Sequence, residues 1–250
     1  ALHILTQVNS ERSGFLEDVD FITNLAPHYR ERLWLELLQL QEYRLRLFFG
    51  REPRSSIKQL DFEAPEWRGF SHRLTEIRNR RAHGVLFWQS GVVGRAITTP
   101  AAFTVFLGDM YVLSTWVAVA ILRARGRRVV LWGHGIYGNE GGLKMRVRLA
   151  FLRLADMNLL YGKRAQKLLV DQGVTEERLR VIYNSLDYPV QKSLRAQSVD
   201  GDFFARAGWF ARSDLPVLIF VGRLTWQKRL DLLVSSVGAL NAQGVRFNLL

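Results

Sequence analysis

Two cations at a strand–helix turn are the first residues in this sequence that can do chemistry. Val217-Leu218-Ile219-Phe220-Val221 is an apolar, partly β-branched run that predicts a buried strand. Gly222 and Arg223 follow, and Lys228 comes five residues later. Leu230, Leu233, Val234, Val237 and Leu240 then recur at helical spacing, with Gly244 as a C-terminal cap. Arg223 therefore falls just past a strand's C-terminal end, and Lys228 near the start of the next helix. Ligands of open α/β sheets collect at that edge. A helix N-terminus also favours anions through its free N–H groups. The pair suits a phosphate or diphosphate; two solvated charges flanking a turn would show the same spacing.

A second candidate is His134, in Leu131-Trp132-Gly133-His134-Gly135, at the end of a strand expected over 129–132. Gly133 and Gly135 permit positive φ and let a substrate approach the backbone closely. A third is the turn Pro27-His28-Tyr29-Arg30, which follows a strand expected over 19–23. His28 and Arg30 are its cleft candidates. Asn184 and Asp187 follow a strand over 179–183 and read equally well as plain turn residues. No His, Asp or Glu cluster has metal-ligand spacing, so neither a metal nor a cofactor is expected.

The elements that must position these groups alternate. Strands over 19–23 and 43–49 flank an amphipathic helix built on Leu33, Trp34, Leu37, Leu38 and Leu40. This β-α-β order predicts parallel pairing. Residues 51–82 are polar and Arg-rich, with a short helix over 74–81. Strands follow at 85–88, 103–107, 129–132, 157–161 and 179–183, with helices over 111–125, 143–154 and 162–172. Residues 101–122 are long enough to span a membrane, but Gly108 and Asp109 interrupt them, so strand-turn-helix is the better account. The expected organisation is an extension over 1–17, a first domain over 18–187, a linker over 188–214 with a helix near 202–208, and a second domain starting at 215 and running to 250.

Composition narrows the partners. The 250 residues are 48% apolar, enough for a sizeable core. There is no cysteine, which excludes disulfides and thiolate chemistry. The formal charge is +12, and 123–180 alone hold 13 Lys and Arg against 5 Asp and Glu. Such a surface attracts anionic lipid, anionic substrates or nucleic acid. Basic residues around Trp67, Phe70 and His72 lack any nucleic-acid recognition motif, so nucleic acid is not expected. The predicted helix over 143–154 interleaves Lys144, Arg146, Arg148 and Arg153 with apolar residues. That pattern fits an anionic membrane surface or a packed helix with a solvated face.

Gly222-Arg223-Leu224, followed by Lys228-Arg229-Leu230-Asp231, resembles the opening of the second domain in retaining glycosyltransferases of family 4. Three further stretches are similar to the same family: Pro27-His28-Tyr29-Arg30-Glu31, Trp132-Gly133-His134-Gly135, and Val181-Ile182-Tyr183-Asn184-Ser185-Leu186-Asp187. The resemblance implies an α/β fold of GT-B type: two Rossmann-like domains with parallel sheets, the second incomplete here. It implies a hexosyltransferase-type enzyme moving a sugar, with retention, from a nucleotide-diphosphate sugar to a hydroxyl of a saccharide or lipid-linked acceptor. In that scheme Arg223 and Lys228 contact the diphosphate and His134 contacts the donor sugar near the reacting carbon. His28, Arg30, Gly133, Gly135, Asn184 and Asp187 line the cleft. A second-domain acidic motif of the family is not in this sequence, so the stretch alone is expected to be inactive. Bacterial polysaccharide or glycolipid assembly is the implied setting, in the cytoplasm or peripherally on the inner face of the membrane.

Two other classes stay open at this point. One is a non-catalytic basic module that binds membranes or polyanions. The other is a nucleotide-sugar epimerase, which shares the GT-B fold. Asp109 is the one carboxylate at a strand end that could serve a double-displacement mechanism, and it is not assigned that role.

Overall fold

The computed structural model describes residues 17–52, 55–184, 187–197, 207–210, 212, 214–222 and 224–250. They fall into two compact units, one ending at Tyr188 and the other running Pro189–Leu250.

The first unit is built on strand β1 (Glu17–Thr23), which is buried on both faces. Val19 and Phe21 face one core, and Ile22 faces the other. Asp18 and Asp20 alternate with them, which would be costly without partners. The partners come from β2 (Tyr43–Gly50), which lies parallel to β1 with Arg44 opposite Asp18 and Arg46 opposite Asp20. Arg44 bonds Asp18, and Arg46 bonds Asp20 at 2.8 Å. Arg95 of helix α2 (Val92–Thr98) adds a second guanidinium to Asp20 at 2.7 Å, and the Thr99 hydroxyl donates to the same carboxylate. Asp20 is 0% exposed, so this cluster locks β1, β2 and α2 together in one register.

Helix α1 (Glu31–Gln39) covers one face through Trp34, Leu37 and Leu38. Strands β3 (Leu74–Ile77), β6 (Phe103–Leu107), β7 (Arg128–Gly133), β8 (Met157–Leu160) and β9 (Leu179–Val181) complete a seven-stranded sheet, ordered β3-β2-β1-β6-β7-β8-β9 and parallel throughout. Helices α3 (Leu113–Ala124), α4 (Gly142–Leu154) and α5 (Lys163–Asp171) pack on the face opposite α1. The order reverses between β1 and β6, as in doubly wound sheets. Among the described residues no helix is long and apolar enough to cross a membrane.

Two expected elements are corrected. The segment expected as a helix over 74–81 is β3 followed by β4 (Asn79–His83). Leu74 and Ile77 are three apart and mimic a helical face, but pairing of β3 with Leu47–Gly50 at the sheet edge decides the conformation. The strand expected over 85–88 is β5 (Leu86–Gln89), which pairs antiparallel with β4 in a separate hairpin and does not join the main sheet. Gly84, at φ +54, makes the turn between them.

The hairpin buttresses the end of β1. Asn79 Nδ2 donates to the Asn24 carbonyl at 2.7 Å, and Gln89 Nε2 donates to the Thr23 carbonyl at 3.2 Å. A side chain at Gly50 would collide with Asn79 and the Asn24 carbonyl, so glycine is required where β2 passes beneath this clamp.

The second unit holds α6 (Tyr188–Ala196, its first residue in the first unit), β10 (Val217–Leu218), α7 (Leu230–Ala242) and β11 (Asn248–Leu249). β10 and β11 pair in parallel around α7. Gly244, at φ +82, ends α7, and the Val245 N–H bonds the Leu240 carbonyl in a glycine cap. The buried five-residue strand expected over 217–221 is a two-residue strand, with Val221 84% exposed. One neighbouring strand and one helix are too little to cover both its faces. The helix expected near 202–208 falls largely outside the described residues, as does the extension expected over 1–17, of which only Glu17 is described, in β1.

The Asp20 cluster yields a direct prediction. Asp20→Ala removes the ion-pair partner of Arg95 and the nearer of the two carboxylates on Arg46, and should cost about 3–5 kcal/mol. Arg32→Ala breaks only the exposed Arg32–Glu36 pair and should cost below about 0.5 kcal/mol. Urea unfolding of the two variants measures the contrast, and equal small losses would refute the locking role.

Candidate functional site

The reversal between β1 and β6 leaves a crevice at the C-terminal sheet edge. A cavity of about 410 Å³ opens there, lined by residues that follow β1, β6, β7 and β8. Its charged and hydrogen-bonding lining includes Arg30, Asp109, His134, Tyr137, Arg148 and Tyr161.

The segment after β1 is extended at Pro27, then enters a 3-10 turn over His28–Arg30. It is stitched to the 58–60 segment: the His28 N–H donates to the Lys58 carbonyl and the Leu60 N–H to the Ala26 carbonyl, both at 2.9 Å. This delivers Arg30 to the cavity. Its guanidinium carbon lies 4.2 Å from the Trp132 ring centre, and Nη2 donates to Tyr161 Oη at 2.7 Å. Trp132 in turn meets Phe21 and Trp34 edge-on, which anchors the aromatic platform in the core.

His134 leaves β7 on a turn that needs its glycines. Gly135 has φ +65, and a Cβ there would also crowd Leu160 and Leu169. The Gly135 carbonyl accepts from Arg148 Nη1 at 3.3 Å. Arg148 also pairs with Glu140 at 3.2 Å, while Glu140 Oε2 accepts from the Tyr137 and Gly138 N–H groups. This knot holds the 134–140 loop against α4.

The His134 ring lies edge-on to Tyr161 at 4.6 Å and tilted against Tyr137 at 5.4 Å. Its nitrogens make no hydrogen bond among the described residues, so both are free for a ligand. Desolvation, then the charges of Arg30 and Arg148, lower its pKa below the usual histidine value. His134 is therefore a neutral imidazole at pH 7, able to donate one hydrogen bond and accept one. Burial pushes the Tyr161 phenol up, against the opposing pull of Arg30. Asp109 Oδ1 accepts from the Tyr111 N–H at 3.0 Å, so Asp109 also shapes the turn after β6.

Of the residues read from the sequence, Arg30, Gly133, His134 and Gly135 come together around this cavity. His28 turns away, with Nδ1 on the Lys58 carbonyl at 3.0 Å. Asn184 and Asp187 lie beyond β9 and outside the cavity lining. Lys228 ends a 3-10 turn just ahead of α7 in the second unit, and Arg223 lies outside the described residues. Sequence reasoning missed Trp132, Tyr137, Arg148 and Tyr161 as site residues. Arg148 carried no distinguishing signal among the other cations of α4, and Tyr161 showed only its place at a strand end.

No protein-family model and no curated protein matches the chain. Solved structures do. Anabaena Alr3699/HepE in complex with UDP and glucose matches with TM-score 0.53 at 12% identity, over 90% of this chain and 58% of that one. A UDP-GlcNAc 2-epimerase from Methanocaldococcus jannaschii matches with TM-score 0.50 at 10% identity, over 90% of this chain and 62% of that one. The enzyme of that title from Neisseria meningitidis, bound to UDP-GlcNAc, gives 0.50 at 10% identity, over 93% and 64%. The chain thus spans under two thirds of the length of these neighbours. At such identity the likeness concerns the fold, which is α/β, Rossmann-like and of GT-B type.

The lowered His134 pKa has a signed consequence. The unfolded chain binds the imidazole proton more readily than the folded one, so stability is full above about pH 6.5 and falls as pH drops through the folded pKa. Thermal melts between pH 5 and 8 should show this slope, and His134→Gln should flatten it. An unchanged slope would assign it to other groups.

Proposed function

We propose that this chain belongs to an enzyme acting on nucleotide sugars, with the first unit's cavity receiving the sugar being transferred and its acceptor. The observation that carries the proposal is His134, packed against Tyr137 and Tyr161 in the crevice where the strand order reverses and within the field of Arg30 and Arg148. Such a crevice is a ligand site by topology. An imidazole with both nitrogens free can orient sugar hydroxyls without adding charge. The neighbours whose titles name UDP, glucose and UDP-GlcNAc support this substrate class.

Within that class we favour a retaining family 4 glycosyltransferase in polysaccharide or glycolipid assembly at the inner membrane face. Transfer forms a bond from the acceptor's hydroxyl oxygen to the anomeric carbon and breaks the bond between that carbon and the diphosphate, whose oxygen leaves with the electron pair and takes up the hydroxyl proton. Arg223 and Lys228 of the second unit are the residues proposed to meet that charge. Each positioned donor at such a site is typically worth about 3–4 kcal/mol. Asn184 and Asp187 remain proposed contacts to the cleft. Helix α4 leaves Leu143 and Val147 exposed beside Lys144 and Arg146, a surface suited to anionic lipid.

Epimerisation of a nucleotide sugar is the second reading, with its own support. Asp109 and His134 line the same cavity, giving a carboxylate and a neutral imidazole that can take and return a proton. Several structural neighbours carry that title.

A thermal-shift panel of UDP, GDP, ADP and TDP tests the class. One nucleotide should stabilise the protein, and Lys228→Ala should weaken its binding about tenfold or more. No shift with any nucleotide would leave a basic binding module as the better account. A product assay then separates the two enzymes, because transfer needs an acceptor and epimerisation does not. His134→Ala should lower turnover at least about 10²-fold with little change in nucleotide affinity. For the membrane contact, Lys144→Glu/Arg146→Glu should abolish sedimentation with phosphatidylglycerol vesicles, and unchanged sedimentation would rule α4 out.

A further inference from the structure

Arg30 is a buried charge that nothing described around it neutralises. It is 9% exposed, and among the described residues its guanidinium makes one hydrogen bond, to a tyrosine hydroxyl. Among the described residues no carboxylate lies within ion-pair distance of it. Three half-buried arginines near the sheet and cavity do have carboxylate partners: Arg46 and Arg95 share Asp20, and Arg148 faces Glu140. Asp109, which also lines the cavity, forms no ion pair with Arg30 and caps the Tyr111 N–H. A buried guanidinium without a counter-ion is costly. It carries five donors in a planar fork, and here one of the five is used. Trp132 covers its face and Tyr161 takes one edge, so the unused donors border the cavity.

We propose that the missing counter-ion is part of the acceptor: the first unit's cavity takes a sugar phosphate or sugar carboxylate, and Arg30 is the residue that selects it over a neutral sugar. The proposal rests on reading this cavity as the acceptor side. A planar fork binds either oxyanion through paired hydrogen bonds. His134 and Asp109 then meet the hydroxyls at the other end of the ligand. The cavity's volume of about 410 Å³ falls in the range of small-molecule sites.

The test measures binding of glucose, glucose 6-phosphate, glucuronate and UDP to the protein and to Arg30→Met and Arg30→Lys, with melting temperatures of the unliganded forms. At least one charged sugar should bind the parent tenfold or more tighter than glucose. Arg30→Met should erase that preference, and the unliganded variant should melt at or above the parent because an uncompensated charge is gone. Arg30→Lys should keep the preference at reduced affinity. Equal binding of glucose and its charged forms overturns the proposal, as does a preference that survives Arg30→Met. If Arg30→Met fails to fold, unchanged affinity in Arg30→Lys overturns it and weakened but selective binding upholds it. UDP binding that depends on Arg30, with no binding of either charged sugar, assigns the anion to the donor diphosphate and overturns only this inference. Charged-sugar selection that depends on Arg30, without any UDP binding, would instead sink the nucleotide-sugar reading and uphold only Arg30's selection of the anion, no longer as part of an acceptor.

Discussion

β1 is hydrogen-bonded on both sides, to β2 and to β6, and it carries two carboxylates through the middle of the sheet. A strand in that position tolerates Asp20 only if cations reach it in one arrangement, and Arg46, Arg95 and Thr99 provide that arrangement. Register follows from it. A slip of one residue would turn the carboxylates toward the apolar Phe21 and Trp34 face, away from Arg46 and Arg95. With β1 fixed, the chain must build β2 and β3 on one side and β6 to β9 on the other. The crevice between the two directions is then a consequence of topology.

The walls of that crevice are unusual in their balance of charge. Arg148 is tied to Glu140 and to a backbone carbonyl, so it stiffens the 134–140 loop while raising the local potential. Arg30 is tied to aromatic faces and a phenol. Stacking on Trp132 offsets part of the desolvation of a guanidinium without cancelling its charge. Desolvation, aided by these two charges, lowers the His134 pKa. A site of this kind offers positive potential to an anion and an uncharged hydrogen-bonding ring to its neighbour, which is the pairing a charged carbohydrate presents.

Rigidity at the site comes from elements outside the main sheet. The β4–β5 hairpin contributes no strand to that sheet, yet its Asn79 and Gln89 side chains clamp the carbonyls of Thr23 and Asn24. The glycine at position 50 leaves room for that clamp, and the glycine at 135 lets the histidine turn pass over Leu160 and Leu169. Small residues here are placed by close approach of backbone and side chain.

The sequence by itself determined the local elements and the order in which they come. Alternating strands and helices with short connections fixed a parallel α/β sheet, because periodicity and turn chemistry are local properties. It also marked His134 and Arg30 as strand-end residues. It misjudged 74–81, where sheet-edge pairing overrides local spacing, and it marked the strand at 85–88 without showing that it pairs in a separate hairpin. The Asp18 and Asp20 pair and the Arg44 and Arg46 pair are visible at period two in the sequence, but only the register joins them. Likewise Arg148 and Tyr161 reach the cavity from elements far along the chain from Arg30. Whether a charge finds a partner is a matter of distances between segments, so only the tertiary structure decided that Asp20 is satisfied and Arg30 is not.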